Sequence, residues 1–172
     1  MLFKMEKEGA RKKAMLVLFG AGTRLTEAEQ EQVQVEDYNC NNLKQIGSQR
    51  LVMVNNAQIY AAETVLFPNQ IRPELRHPNR AVTLRCREGK VYLYTEGEQF
   101  DKIHAKIPRG KDADFTVFHE IIIEPGQQLE IPADTRYWMQ GSPEAGAVIL
   151  ELSGPYNPAQ DIFTSSAYSK RS

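Results

Sequence analysis

Short β-prone runs alternate with turns rich in proline and glycine along most of the chain, and this rhythm restricts the possible folds more than any other feature. Arg50–Val54, Lys90–Thr95 and Ala147–Ser153 are such runs, and Glu88-Gly89 and Pro125-Gly126 mark turns between others. Many short strands with a turn about every ten residues are typical of a β-sandwich or a barrel. We therefore predict an all-β protein with a jelly-roll β-barrel.

The remaining runs place further strands over residues 59–67, 80–87, 115–123, 128–131 and 136–140. One helix is predicted before them, since Thr26 followed three residues later by Glu29 forms a capping box. This helix should span about Glu27 to Val35. We see no repeat or low-complexity linker, and we predict an N-terminal extension over 1–24 and one barrel domain over 25–172.

Composition excludes several classes of protein. A chain of 172 residues is long enough for one domain with a full-sized core. Its formal net charge of −1 gives no general attraction for nucleic acid or for an anionic membrane. Two cysteines, Cys40 and Cys86, do not make a disulfide framework, and they fit a reducing compartment. We expect a cytoplasmic protein.

The N-terminal segment is basic and is followed by the short apolar run Ala14–Phe19. That run is shorter than the roughly 7–15 residues of a signal peptide's apolar region, and Glu6 and Glu8 interrupt the basic part. A helix that docks on the domain, or a loosely ordered arm, is the better interpretation. No apolar run approaches the roughly 18 residues of a membrane helix.

A single histidine stands in the segment Pro73–Pro78, where a metal site would need two ligands. Residues two apart in a strand point to the same face, so Leu75 and His77 share one. Two histidines at this spacing would bind one metal ion, whereas a leucine and a histidine would not. Whether the protein is an enzyme depends on this pair.

The motifs PELRHP, RCREGKVYLYTEGE, FHEIIIEPGQQLEIPADTRYWMQG and DIFT together resemble a known family. The chain is similar, over about Leu25 to Thr164, to cupins of the D-lyxose isomerase type. The resemblance implies a small, usually dimeric β-barrel that interconverts D-lyxose and D-xylulose, with mannose accepted by some members. It also implies a divalent metal such as Mn, held by three histidines and one glutamate.

Three of the four metal ligands that the resemblance implies are replaced in this chain. His77 matches the second histidine of the family's Pro-Glu-His-Arg-His-Pro motif, and Leu75 replaces the first. Val82 stands at the glutamate position and Tyr137 at the last histidine. Ala62 replaces a lysine that the family carries near its substrate. We therefore expect no bound metal and no other cofactor.

Other candidate site residues follow from the same match. Glu151 and Asp161 align with family carboxylates that line the pocket, which makes them candidate catalytic residues. His77 is a candidate ligand-binding residue, and Tyr137 and Trp138 either stack on a sugar or belong to the core. An acid such as Glu151 within an apolar strand needs a partner. Arg85 or Arg87 could pair with it, either as a structural ion pair or as part of a substrate contact.

Three functions remain open at this point. We favour a non-catalytic relative, a pseudoenzyme that binds a sugar or small polar ligand or acts as a partner subunit, forms a homodimer and binds neither nucleic acid nor membrane. The alternative is a sugar isomerase that interconverts D-lyxose and D-xylulose, or D-mannose and D-fructose. The third is a structural protein in which Leu75 and Val82 fill the former metal cavity.

Overall fold

The computed structural model describes residues 2–170, so Met1, Arg171 and Ser172 lie outside it. Helix α1 (Leu2–Gly20) and helix α2 (Glu27–Gln32) precede eleven strands. The strands are β1 (Gln34–Glu36), β2 (Ser48–Asn55), β3 (Tyr60–Leu66), β4 (Ile71–Arg76), β5 (Val82–Gly89), β6 (Val91–Thr95), β7 (His119–Ile123), β8 (Gln128–Ile131), β9 (Tyr137–Gly141), β10 (Ala147–Ser153) and β11 (Ile162–Phe163).

Two antiparallel sheets contain these strands. One has the order β1-β2-β3-β10-β5-β8 and the other the order β11-β4-β9-β6-β7. Neighbours such as β3 and β10 are distant in sequence, which is the crossing pattern of a jelly roll. The predicted all-β fold class is confirmed, with one qualification. Within residues 2–170 the strands pair as two sheets that are not closed into a continuous barrel.

The N-terminal segment is a docked helix, one of the two alternatives expected from the sequence. Ala14 and Leu18, four residues apart on α1, are both buried in an apolar cluster with Leu51 and Val148 of the first sheet. Arg11 fixes the helix further by donating from Nε to the backbone oxygen of Val33 over 3.0 Å. Over residues 2–170, no helix is long and apolar enough to cross a membrane.

Two element boundaries differ from the sequence prediction by more than two residues. Helix α2 keeps its capping box at Thr26 but stops at Gln32, because Val33 takes an extended conformation and is buried. Strand β7 begins at His119 rather than Phe115. Phe115 and Val117 instead pack in an aromatic cluster around Trp138. Burial of these side chains therefore outweighs their β-propensity.

The pairing of β4 with β9 is irregular, and this irregularity positions the site. Their register shifts between Arg72 and Leu75, where Pro73 has no N–H to donate to the ladder. A bulge of this kind re-aims the side chains on either side of it. Leu75 enters the main apolar cluster, whereas Arg72 is buried against a carboxylate of strand β10.

A buried polar cluster as the candidate site

His77, just after β4, connects two other segments inside the molecule. Its Nδ1 lies 2.5 Å from Oδ1 of Asp161, which precedes β11. Its Nε2 lies 2.8 Å from the hydroxyl oxygen of Tyr137, the first residue of β9. The side chains of His77 and Asp161 are almost completely buried. Three segments distant in sequence thus meet at one imidazole ring.

Burial determines the protonation states of His77 and Tyr137. It lowers the pKa of His77 to about 4, and this outweighs the opposing effect of Asp161. Burial raises the pKa of Tyr137 to about 12, so its hydroxyl stays protonated near neutral pH. In the arrangement that satisfies all three groups, neutral His77 donates from Nδ1 to Asp161 and accepts at Nε2 from Tyr137. The basic nitrogen is then Nε2.

Cationic and aromatic side chains surround the His77–Asp161 pair. Arg80 places Nη2 3.3 Å from Nε2 of His77, and its guanidinium lies 3.7 Å from the ring centroid of Tyr156. Lys170 donates from Nζ to both Asp161 and Tyr156, and Tyr156 donates to Asp161. Burial by itself would raise the pKa of Asp161, but the His77 hydrogen bond and the Lys170 charge outweigh it and lower that pKa.

Glu151 forms a second charged group within the interior. Arg72 pairs with its Oε1, Arg50 Nε lies 3.6 Å from its Oε2, and Thr64 donates to Oε2 over 3.0 Å. Burial opposes ionisation, but the two guanidinium groups overcome it and lower the pKa of Glu151 to about 2. Glu151 is therefore a fixed anion near neutral pH and has no tendency to exchange protons there.

Glu74 of β4 holds the segment that carries Asp161. Its buried carboxylate accepts from the hydroxyls of Thr116 and Thr164, each over 2.6 Å, and from the backbone N–H groups of Thr116 and Val117. Thr164 belongs to the DIFT motif that begins at Asp161. The two family-like motifs PELRHP and DIFT are thus bonded to each other at a second point, in addition to the contact between His77 and Asp161.

Two cavities flank this cluster. The first has about 210 Å³ of empty space and is lined by His77, Pro78, Asn79, Arg80, Pro155, Tyr156, Asn157, Gln160 and Asp161. The second, of about 500 Å³, is lined by Gln34, Glu36, Ser48, Arg50, Pro158 and Lys170. Both volumes include space that is open to solvent, so each cavity is a cleft at the surface rather than a closed chamber.

The structure brings four of the six candidate residues into the charged interior: His77, Tyr137, Glu151 and Asp161. Trp138 lies instead in the aromatic core, where it stacks on Tyr94 and donates to the backbone oxygen of Val117. Of the two alternatives for Trp138, the structure thus shows the core position.

The predicted pairing of Glu151 with Arg85 or Arg87 is wrong. Arg85 is exposed on β5 and donates to Gln128, and Arg87 pairs with Glu63 on the outer side. Their alternation with Leu84 and Cys86, which suggested the pairing, directs them away from the interior.

Sequence reasoning missed Arg50, Arg72, Arg80, Tyr156 and Lys170. The partners of these residues come from distant strands, as Arg72 and Glu151 are 79 positions apart. No local signal distinguished Arg72, because three of the six residues in Ile71–Arg76 are charged and such a run does not look buried.

The residues present do not fit the divalent metal that the resemblance implies. Leu75 and Val82 are both buried in the main apolar cluster and offer hydrocarbon where metal donors are needed. Tyr137 directs its hydroxyl to His77. Among residues 2–170, no group of three or more His, Cys, Asp or Glu side chains could hold a metal ion.

The fold is that of the cupin-like sugar isomerases. Among solved structures, L-ribose isomerase of Cellulomonas parahominis with L-ribose matches with a TM-score of 0.80 at 9% identity, covering 95% of this chain and 93% of that one. L-ribose isomerase of Geodermatophilus obscurus matches with a TM-score of 0.79 at 8% identity, covering 95% and 92%. At such identities the likeness concerns the fold alone.

Curated relatives identify the family. D-lyxose ketol-isomerase of Thermofilum is 41% identical over 95% of this chain and 94% of its own length. D-lyxose ketol-isomerase of Cohnella laeviribosi is 43% identical over 84% and 82%. D-lyxose/D-mannose isomerase of Thermosediminibacter oceani is 39% identical over 95% and 93%. The chain belongs to the D-lyxose ketol-isomerase family; no family model matches it. These relatives favour the isomerase hypothesis over the non-catalytic one.

Proposed function

We propose that this protein is an aldose–ketose isomerase that acts on a free sugar such as D-lyxose or D-mannose in the cavity beside His77. Family membership at 39–43% identity over most of the chain supports the reaction class. The observation that supports this location for the site is the buried His77–Asp161 pair. Tyr137 and Arg80 both direct a donor at Nε2 of the same imidazole.

The reaction needs a base that removes a proton from the carbon beside the carbonyl and returns it to the neighbouring carbon. His77 suits this role, because Asp161 orients the ring and leaves Nε2 as the basic atom. The substrate would displace the hydrogen bond between Nε2 and Tyr137. Tyr137 and Arg80 would then donate to the sugar oxygens, which exchange a proton while C2 loses one and C1 gains one. Glu151 keeps Arg72 in position and takes no proton.

Turnover of D-lyxose and D-mannose tests the proposal, with solvent deuterium incorporation as the second readout. Each assay is run once with a chelator and once with added divalent ions, because the side chains of the site do not favour a bound metal. His77→Gln should lower the rate by about a hundredfold to ten-thousandfold, as expected for loss of a general base. His104→Gln is the matched control, because His104 is largely exposed and bonded to Glu120. Equal rates in the two variants would contradict the assignment.

The burial of Leu75 and Val82 at two implied ligand positions leaves one other function to test, although the relatives support the isomerase. These side chains are compatible with a protein that binds a sugar without converting it. Isothermal titration with D-lyxose separates the two functions. Binding without turnover or deuterium exchange, with or without added metal, would favour the non-catalytic protein. Turnover that depends on His77 would favour the isomerase.

A further inference from the structure

The C-terminal segment, residues 165–170, returns to the buried polar cluster and is fixed there by its own contacts. Tyr168 is buried in the aromatic cluster, and its hydroxyl donates to Oδ2 of Asp114 over 2.7 Å. The backbone N–H of Ser169 donates to the backbone oxygen of Tyr38 over 3.1 Å. Because both a side chain and the backbone are anchored, the segment has a defined course and brings its last side chain into the cluster.

That side chain is Lys170, and it contacts the oxygen of Asp161 that His77 does not use. Nζ of Lys170 donates to Oδ2 of Asp161, whereas Oδ1 meets Nδ1 of His77. Lys170 also donates to the hydroxyl of Tyr156, which in turn donates to the same Oδ2. A carboxylate bonded through both oxygens cannot turn without breaking a charge-assisted hydrogen bond. The orientation of Asp161 toward the imidazole therefore depends on Lys170 and Tyr156 as well as on His77.

Lys170 also supplies the positive charge that compensates Asp161. The side chain of Asp161 is 2% exposed and that of Lys170 is 16% exposed, so the pair is largely shielded from water. Within the described chain, Lys170 is the only lysine or arginine that pairs with this carboxylate. Arg80 bonds instead to Ser153 and lies against His77. Removing one partner of a buried ion pair leaves the other charge uncompensated. Without Lys170, Asp161 would hold the imidazole less firmly.

The position of Lys170 indicates an action through Asp161 rather than on the sugar. Tyr156 and Asp161 line the cavity beside His77, whereas Lys170 lines the second cavity. In the proposed reaction a proton moves from one sugar carbon to Nε2 of His77 and then to the neighbouring carbon, and Lys170 keeps its own protons throughout. The imidazolium that forms is stabilised by Asp161 only while the carboxylate faces Nδ1.

We propose that Lys170 is a positioning residue, which holds Asp161 against Nδ1 of His77 and so keeps Nε2 as the basic atom of the site. This inference rests on the proposed function, since it adds a residue to the same proton transfer. Removal of the amine should slow the chemical step and leave sugar binding unchanged. An ion pair that served stability alone would not change the rate of the folded enzyme.

Turnover of D-lyxose by folded variants tests the proposal. Lys170→Met removes the amine and keeps most of the stem, and it should lower kcat by about tenfold to a hundredfold with little change in KM. Lys170→Arg keeps a charge and several donors, and it should recover most of the rate. Lys44→Met is the matched control, because Lys44 is exposed, and it should leave both constants unchanged. Assays at pH 6 keep Lys170 charged, since burial and the charge of Arg50 lower its pKa to about 7.

Proton NMR reports the same contact without turnover. The Nδ1 proton of His77, bonded to a buried carboxylate, should give a downfield resonance that exchanges slowly with water, and His77→Gln assigns it. In Lys170→Met this resonance should move upfield or be lost to exchange, whereas in Lys44→Met it should stay in place. A resonance that is unchanged in Lys170→Met, or absent from the wild-type protein, would overturn the inference.

The outcomes separate this inference from the proposed function. If His77→Gln abolishes turnover and Lys170→Met leaves kcat unchanged, the inference is overturned and the isomerase proposal stands. A higher KM with unchanged kcat in Lys170→Met would show contact with the sugar, which also overturns it. If the wild-type protein converts no sugar but the His77 resonance responds to Lys170→Met, the proposed function fails and the positioning of Asp161 stands. Thermal unfolding checks that each variant folds, and Lys170→Gln replaces Lys170→Met if the latter does not.

Discussion

Leu75 and His77 are two residues apart, yet they lie in opposite kinds of interior. Leu75 belongs to a hydrocarbon cluster with Val82, Met139 and Ile149 between the sheets. His77 belongs to a network of ionic and aromatic groups that includes Asp161. The comparison teaches that two neighbouring positions of one short segment can lie in chemically different parts of the same interior. One part consists of hydrocarbon, whereas the other consists of charged groups that are paired with one another.

The largest effect on stability is expected in the charged part. Glu151→Ala would leave Arg72 and Arg50 buried without their common carboxylate, at a cost of about 3–5 kcal/mol in the free energy of unfolding. Urea denaturation measures this loss. Glu130→Ala on the exposed face of β8 is the control and should change stability by no more than about 0.5 kcal/mol. A similar small change at Glu151 would mean that the ion pairs are not formed.

In the hydrocarbon part, truncating a side chain should destabilise the protein by leaving a cavity. Leu75→Ala truncates a completely buried side chain and should lower the free energy of unfolding by about 2–5 kcal/mol. The pH dependence of stability should change little. Met53→Ala, on the half-exposed side of β2, is the control and should cost far less. A loss at Leu75 that varies strongly with pH would show that the two parts are not separate.

Acid should weaken the charged part more than the hydrocarbon part. His77 has a pKa of about 4 in the folded protein against 6.5 when unfolded, so the unfolded chain binds more protons between these values. Stability should therefore fall by up to about 3 kcal/mol as the pH drops from 6.5 to 4. Glu151, with its lowered pKa of about 2, adds a further loss below pH 4.5. Chemical denaturation at several pH values measures both, and His77→Gln should flatten the first segment.

The smallest effect is expected at the boundary, where Tyr137 contributes its ring to the hydrocarbon cluster and its hydroxyl to His77. Tyr137→Phe removes only the hydroxyl, and it should lower the free energy of unfolding by about 0.5–1.5 kcal/mol. Thermal or urea unfolding gives the value. A cost above that of Leu75→Ala would show that the hydroxyl, rather than the ring, provides most of the stability at this position.

Local patterns predicted the strands better than the site. Strands β8 and β10 have the bounds expected from the sequence, because turn residues delimit each of them. His77 and Asp161 were found through a family resemblance, and the residues gave no independent sign that they would meet. Arg80 and Lys170 were missed, because their partners depend on how the two sheets pack and on where the C-terminal segment lies. Local periodicity carries no information about either.

The wide sequence separation of the partners has a consequence for how the buried polar cluster is assembled. His77 is 60 positions from Tyr137 and 84 from Asp161, and Thr64 is 87 from Glu151. Closing such long loops slows folding, and none of these contacts can form within an isolated hairpin. Recovery of ligand binding during refolding should therefore lag behind the recovery of β-structure, which makes the site a reporter of the last stage of assembly.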